Sequence, residues 1–206
     1  MYKGERFNSI SHLIGAALAI AGLAVLVVFA ARQGDPWKIV SMSIYGTTLV
    51  LLYTFSTLHH SLKGKAKQVF LKLDYNSIYL LIAGTYTPLT LVLLRGGWRW
   101  SIFGTIWALA ITGIILDCLP RKGLRVIPIV IYLFMGWFIL IALKPLSRVL
   151  PPSGLVWLTL GGLCYTVGVV FYVFDKKVRH FHGIWHLFVL AGSFSHFFTI
   201  FTYVLF

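Results

Sequence analysis

His182-Gly183-Ile184-Trp185-His186 opens the last apolar run of the chain, which continues over residues 187–206 with only isolated polar groups. Residues four apart lie on one face of a helix, and about twenty predominantly apolar residues are what a bilayer-spanning helix requires. The stretch therefore reads as a transmembrane helix with two imidazoles on one face, just inside its first end. Ring nitrogens so placed can grip one metal ion between them, and an ionisable group inside a span is a functional candidate by default.

Runs of the same kind recur upstream. Of the 206 residues, 59% are apolar and 11% are charged, less than half of the ~25% charge content of a soluble domain. The expected fold class is an all-α membrane protein, a single seven-helix transmembrane domain over residues 1–206. The spans are expected near residues 9–31, 39–58, 74–94, 101–119, 126–143, 155–174 and 181–203. Between them lie turn-forming breaks: Gly34-Asp35-Pro36, Lys63-Gly64-Lys65, Gly96-Gly97, Pro120-Arg121-Lys122-Gly123 and Pro151-Pro152-Ser153-Gly154. Lys3 and Arg6 before an apolar run imitate a signal peptide. The run 13–31 is nearer a full span than a short signal core, so it reads as a retained first helix. Pro88 falls inside the third span and is expected to kink it.

The net charge of +13 does not point to nucleic acid, because the bases sit in short clusters between apolar runs. On one side fall Lys3, Arg6, Lys63, Lys65, Lys67, Lys72, Arg121, Lys122, Arg125, Lys176, Lys177 and Arg179, twelve in all; on the other fall six, Arg32, Lys38, Arg95, Arg99, Lys144 and Arg148. The positive-inside rule then puts the N-terminus in the cytoplasm and the C-terminus outside, in the inner (plasma) membrane. Trp98, Trp100 and Trp157 fall near outer span ends, as interfacial anchors do. Cys118 and Cys164 form no CxxC and read as inert packing residues.

On this topology, ionisable groups from helices distant in sequence reach one membrane depth. His60 lies at the inner end of the second span, Asp74 at the inner start of the third, and His182 and His186 at the inner start of the seventh. Three imidazoles suit zinc and leave a fourth position for water, the arrangement of catalytic rather than structural sites. Asp74 can hold that water and take its proton, or act as an ordinary helix-start carboxylate paired with Lys72. Ser56 precedes His60 by four residues and shares its face; this favours His60 over the adjacent His59 as ligand. His180, beside Arg179 in a basic loop, reads as solvated or bound to lipid phosphate. His196, ten residues past His186, is too deep to share the ion and either lines a cavity or bonds a neighbouring helix. Glu5, Asn8 and His12 form a stripe on the first span suited to packing and hydrogen bonding rather than ligation.

These residues carry a resemblance. Glu5-Arg6-Phe7-Asn8-Ser9-Ile10-Ser11-His12, Ser56-Thr57-Leu58-His59-His60-Ser61, Leu73-Asp74-Tyr75-Asn76-Ser77-Ile78-Tyr79, Ala83-Gly84-Thr85-Tyr86-Thr87-Pro88 and His182-Gly183-Ile184-Trp185-His186-Leu187-Phe188 together resemble the hemolysin III family of bacterial membrane proteins. That family is related to progestin and adipoQ receptors and, more distantly, to alkaline ceramidases. Its Ser-x-x-x-His matches Ser56 and His60, its Asp matches Asp74, and its His-x-x-x-His matches His182 and His186. The resemblance implies seven helices and a zinc ion near the cytoplasmic side, held by three His with a water-holding Asp. His59 departs from it, standing where the bacterial family commonly has an aromatic residue.

Three functions remain open at this point. One is a zinc-dependent intramembrane hydrolase of lipid amides or esters, with Asp74 and Ser56 in catalytic positions and a lipid such as a fatty amide as substrate. The second is a membrane receptor or sensor with structural zinc. The third is a cytolytic or pore-forming protein. Membrane lipids are the expected partners in each case.

Overall fold

The computed structural model describes residues 4–119 and 125–206. Lys3, Arg121, Lys122 and the break at Pro120-Arg121-Lys122-Gly123 lie outside the described residues.

Among the described residues, seven helices are long and apolar enough to cross a membrane: α1 Arg6–Gln33, α2 Pro36–Ser61, α3 Gly64–Leu93, α4 Gly96–Cys118, α5 Val126–Leu146, α6 Pro152–Phe174 and α7 Phe181–Leu205. No strand occurs among the described residues. Apolar side chains such as Leu18, Ile20, Ile115, Val130, Phe134 and Val170 stand exposed along the outer faces. A soluble protein rarely shows so much contiguous apolar surface. The protein is an integral membrane protein.

The breaks behave as their residues dictate. Gly34 takes a left-handed φ of 67° and closes α1, its N–H bonding the Ala31 carbonyl at 3.0 Å. The next residue, Asp35, caps α2 by accepting from the backbone of Trp37 (2.9 Å) and Lys38 (3.3 Å), with Pro36 at the first helical position. One boundary differs from expectation. The span expected near residues 74–94 is the membrane part of a longer helix: α2 runs to Ser61, and α3 starts at Gly64, inside the expected break at Lys63-Gly64-Lys65. Lys65, Lys67 and Lys72 ride on the first turns of α3, and Asp74 sits almost three turns inside it. Lysine is a good helix former, so hydropathy marks where a span leaves the lipid and not where its helix ends.

The central helix is α3. Of its most apolar stretch 67% is buried, against 17% for α5 and for α6. It joins two apolar clusters, one with α1, α2 and α7 around Leu26, Met42, Tyr45, Leu49, Leu89 and Ile200, the other with α4 and α5 around Tyr79, Ile106, Met135 and Leu146. Close helix approach depends on small residues, as is usual between membrane helices. A Cβ on Gly46 would lie 3.0 Å from the backbone Cα of Leu23 in α1. The expected distortion at Pro88 takes the form of a π-helical turn over Leu89–Leu93. Proline lacks the N–H for the usual bond, and the Thr87 and Thr90 hydroxyls bond back to the Ala83 and Tyr86 carbonyls.

In α5 the α-helix stops at Trp137 and a 3₁₀ segment, Phe138–Ala142, follows. Tyr86 of α3 supports that break. Its hydroxyl donates to the Met135 (2.7 Å) and Gly136 (3.0 Å) carbonyls and accepts from the Ile139 N–H (2.7 Å). Elsewhere α5 packs thinly. Between it and α3, α6 and α7 lies a cavity of about 180 Å³, lined mainly by apolar side chains.

Two stability predictions follow from these contacts. Tyr86→Phe strips the buried Met135 carbonyl and the half-buried Ile139 N–H of their partner and lowers stability by about 1–3 kcal/mol. Gly46→Val forces α2 from α1 at a cost of about 1–3 kcal/mol, whereas Gly104→Val, with open space at its Cβ position, leaves stability unchanged. Thermal unfolding of the purified protein in detergent measures all three.

Candidate metal centre

The seventh helix starts at Phe181, so His182 and His186 emerge one turn apart on one face. His60 is the last-but-one residue of α2. The packing of α1 along α2 and α7 brings these helix ends together, and the ligand atoms of His60, His182 and His186 lie within 4.8 Å of one another. Nε2 of His60 is 3.3 Å from Nε2 of His182. The rings of His186 lie 4.9 Å and 4.8 Å, centre to centre, from those of His60 and His182.

The outer nitrogens explain why the inner ones converge. Nδ1 of His60 donates to the Glu5 carboxylate at 2.6 Å, and Nδ1 of His182 donates to Asp175 at 2.7 Å. Nδ1 of His186 lies 3.4 Å from the Ser11 hydroxyl, which itself donates to the Asn8 carbonyl at 3.0 Å, so the ring is the donor there as well. A neutral imidazole that donates through one nitrogen presents a lone pair at the other. Three lone pairs therefore face one point, and Nε2 of His186 is buried without a hydrogen-bond partner. A divalent cation is the species that such a donor set fits. Two nitrogens each about 2.0–2.1 Å from a tetrahedral zinc lie roughly 3.3–3.4 Å apart, the His60–His182 separation. Carboxylates behind ligating imidazoles are the usual outer partners of a zinc site; they fix the ring and raise its basicity.

Glu5 is tied down by several groups. It accepts from His60, from Nζ of Lys67 at 2.9 Å and from Nδ2 of Asn8 at 3.2 Å. The His60 hydrogen bond above all, with Lys67 and Asn8 adding to it against the effect of burial, holds the Glu5 carboxyl well below the usual carboxylate range. Ser9 and Ser61 share a hydrogen bond of 2.5 Å that pins α1 to the end of α2 beside the site.

Asp74 and Ser56 form a second group. Both are buried, and Ser56 lies beside the Asp74 carboxyl without a hydrogen bond of full geometry. Asp74 borders the cavity, and Lys72, its expected alternative partner, is exposed. His12 links the two groups: it borders the cavity and stacks on His186 at 3.7 Å between ring centres. His59 turns away from the centre, its Nδ1 3.2 Å from the Lys67 carbonyl. His180 is exposed in a left-handed conformation ahead of α7. Of the cysteines, Cys164 is partly buried, and Cys118 is exposed at the end of α4, where its Sγ accepts from Nδ2 of Asn76 in α3 at 3.7 Å.

Sequence reading overlooked Asp175. It lies beside Lys176 and Lys177 and looks like one more loop charge; only the turn that joins α6 to α7 folds it back on His182. The signal available for Glu5 was its place at the head of a polar helical stripe, which pointed to hydrogen bonding without naming the partner.

Comparison with known proteins agrees with this architecture. A family model described as haemolysin-III related matches residues 1–197. The chain is 43% identical to Hemolysin-3 of Bacillus cereus over 98% of its length and 93% of that protein's. It is 30% identical to the human monocyte to macrophage differentiation factor over 96% of this chain and 83% of the relative. With the adiponectin receptor protein of Drosophila melanogaster it shares 26% identity over 94% of this chain and 49% of the relative. On these matches the chain belongs to the haemolysin-III-related family.

Proposed function

We propose that the protein is a zinc-dependent hydrolase of lipid amides or esters, seated in the inner (plasma) membrane with its N-terminus cytoplasmic. One observation carries this reading: the three converging imidazoles stand next to the end of an apolar cavity bordered by Asp74 and His12, with His12 stacked on His186. A hydrophobic substrate enters sideways from the bilayer, lays its chain along the cavity and brings its carbonyl to that end. The excess of Lys and Arg at the histidine end supports the orientation.

His60, His182 and His186 hold the ion; Glu5 and Asp175 keep two of the rings aimed. Bound zinc supplies Lewis-acid polarisation of a carbonyl and makes water nucleophilic at neutral pH. Asp74 positions the attacking water and takes its proton, with Ser56 steadying the carboxyl. The water oxygen joins the acyl carbon, the C–N or C–O bond breaks, and the proton passes from Asp74 to the departing nitrogen or oxygen.

The receptor reading draws support from the name of the Drosophila relative and from a triad that ties α2 to α7; in it the metal is structural and Asp74 is dispensable. The cytolytic reading rests on the name of the Bacillus cereus relative. Neither makes use of the cavity beside the carboxylate.

Elemental analysis of the purified protein finds zinc, and His182→Ala removes it. Glu5→Gln and Asp175→Asn each weaken zinc retention against a chelator about 10- to 100-fold; unchanged retention in both removes their orienting role. The protein releases fatty acid from an amide or ester lipid, and Asp74→Asn slows release about 100- to 10,000-fold at unchanged zinc content. Zinc without turnover across a broad lipid panel favours a structural metal. Turnover that persists after zinc is stripped sinks the hydrolytic mechanism.

A further inference from the structure

The helices around the cavity are tied to one another except along one stretch. Tyr86 holds α3 to α5, and the Tyr132 hydroxyl adds a bond to the Tyr75 carbonyl at 3.0 Å. Nε2 of His196 donates to the Leu158 carbonyl at 3.1 Å and joins α7 to α6. Between α5 and α6 the tie is Trp137. Its Nε1 donates to Oγ1 of Thr166 at 3.0 Å, and its ring lies 3.6 Å from the Cβ position of Gly162. Past Trp137, toward the end of the bundle away from the histidines, no hydrogen bond joins these two helices among the described residues.

There α5 is the 3₁₀ segment Phe138–Ala142, and in such a segment residues three apart share a row. Leu140 and Leu143 therefore continue the row of Trp137, which faces α6. Gly136, Leu140 and Leu143 of α5 and Thr159 of α6 all border the cavity and are all exposed, Leu140 to 53% and Leu143 to 48%. A residue that does both stands at a rim. Leu133 and Val169, which line the cavity nearer the histidine end of the same two helices, are half-buried. The cavity measures about 180 Å³, less than the roughly 300–1,000 Å³ of pockets that enclose a drug-sized ligand. A long acyl chain does not fit inside it whole. Lipid tails filling a crevice account for an exposed rim, but not for its continuity with a space that reaches Asp74.

We propose that the cavity holds only the carbonyl-proximal part of an acyl chain and passes the remainder out into the bilayer between Gly136, Leu140 and Leu143 of α5 and Thr159 of α6. The inference rests on reading the cavity as an acyl-chain site with the carbonyl at the Asp74 end. The substrates are then long or end-substituted acyl lipids, recognised at the carbonyl and left free at the methyl end. The rim makes that tolerance possible, because atoms beyond it meet lipid instead of a wall.

The purified protein in lipid nanodiscs is titrated with octanoic acid, with stearic acid and with stearic acid carrying a pyrene on its terminal carbon, reading displacement of radiolabelled palmitic acid. The pyrenyl acid competes within about threefold of stearic acid, whereas a closed pocket penalises the ring about tenfold or more. Gly136→Trp, with open space at its Cβ position, and Thr159→Trp obstruct the rim from either helix. Each weakens the pyrenyl acid about tenfold or more and leaves octanoic acid unchanged. A wild-type protein that binds stearic acid and rejects the pyrenyl acid overturns the proposal, whether or not the variants fold, and so does a tolerance that survives both substitutions. Binding is read without turnover. Failure of the hydrolase reading shows as absent hydrolysis with the pyrenyl acid still accepted, whereas failure to bind any of the acids overturns both.

Discussion

Three imidazole lone pairs turned toward one another repel unless a cation or a shared proton stands between them. The tautomers are imposed from outside, by Glu5 on His60, by Asp175 on His182 and, more weakly, by Ser11 on His186. Carboxylates cannot donate, so each forces the proton onto the far nitrogen and the lone pair inward. In surroundings of low polarity such pairs are electrostatically strong. The donor set that could hold a metal is therefore made as much by the outer partners as by the three rings.

Those partners come from segments that the bundle has to bring together. Glu5 precedes α1, Asp175 follows α6, and His60 ends α2. Only close packing of α1 on α2 and of α6 on α7 puts them within reach, and small residues make that packing possible: Gly46 against Leu23, and Gly168 beneath Phe188 and Trp185. The same bundle is thin where α5 meets α3 and α6. Its break into a 3₁₀ segment, supported by Tyr86, leaves room that apolar side chains line but do not fill. The site and the cavity thus share α3, α6 and α7, the cavity opening where α5 packs least.

Much of this was legible in the residues. Span number followed from runs long enough to cross a bilayer, since in lipid every backbone group has to be satisfied within the helix. Turn residues placed the breaks at Gly34-Asp35-Pro36 and Pro151-Pro152-Ser153-Gly154. The convergence of His60 with His182 and His186 followed from membrane depth alone, and the geometry brings those three together. The ten residues of α3 ahead of the span expected at 74 were not legible, because a lysine-rich helix outside the lipid leaves no mark in hydropathy.

By itself the sequence determined that seven apolar helices would form, and that imidazoles on two of them would stand at one depth. Both are consequences of periodicity and length, which are local. Tertiary structure decided which carboxylates stand behind which rings, that His12 stacks on His186 while His59 turns away, and that the space left unfilled runs from Asp74 to His196. These depend on the rotation of each helix about its axis and on how closely neighbours approach, and both are set by side-chain packing between segments far apart in the chain.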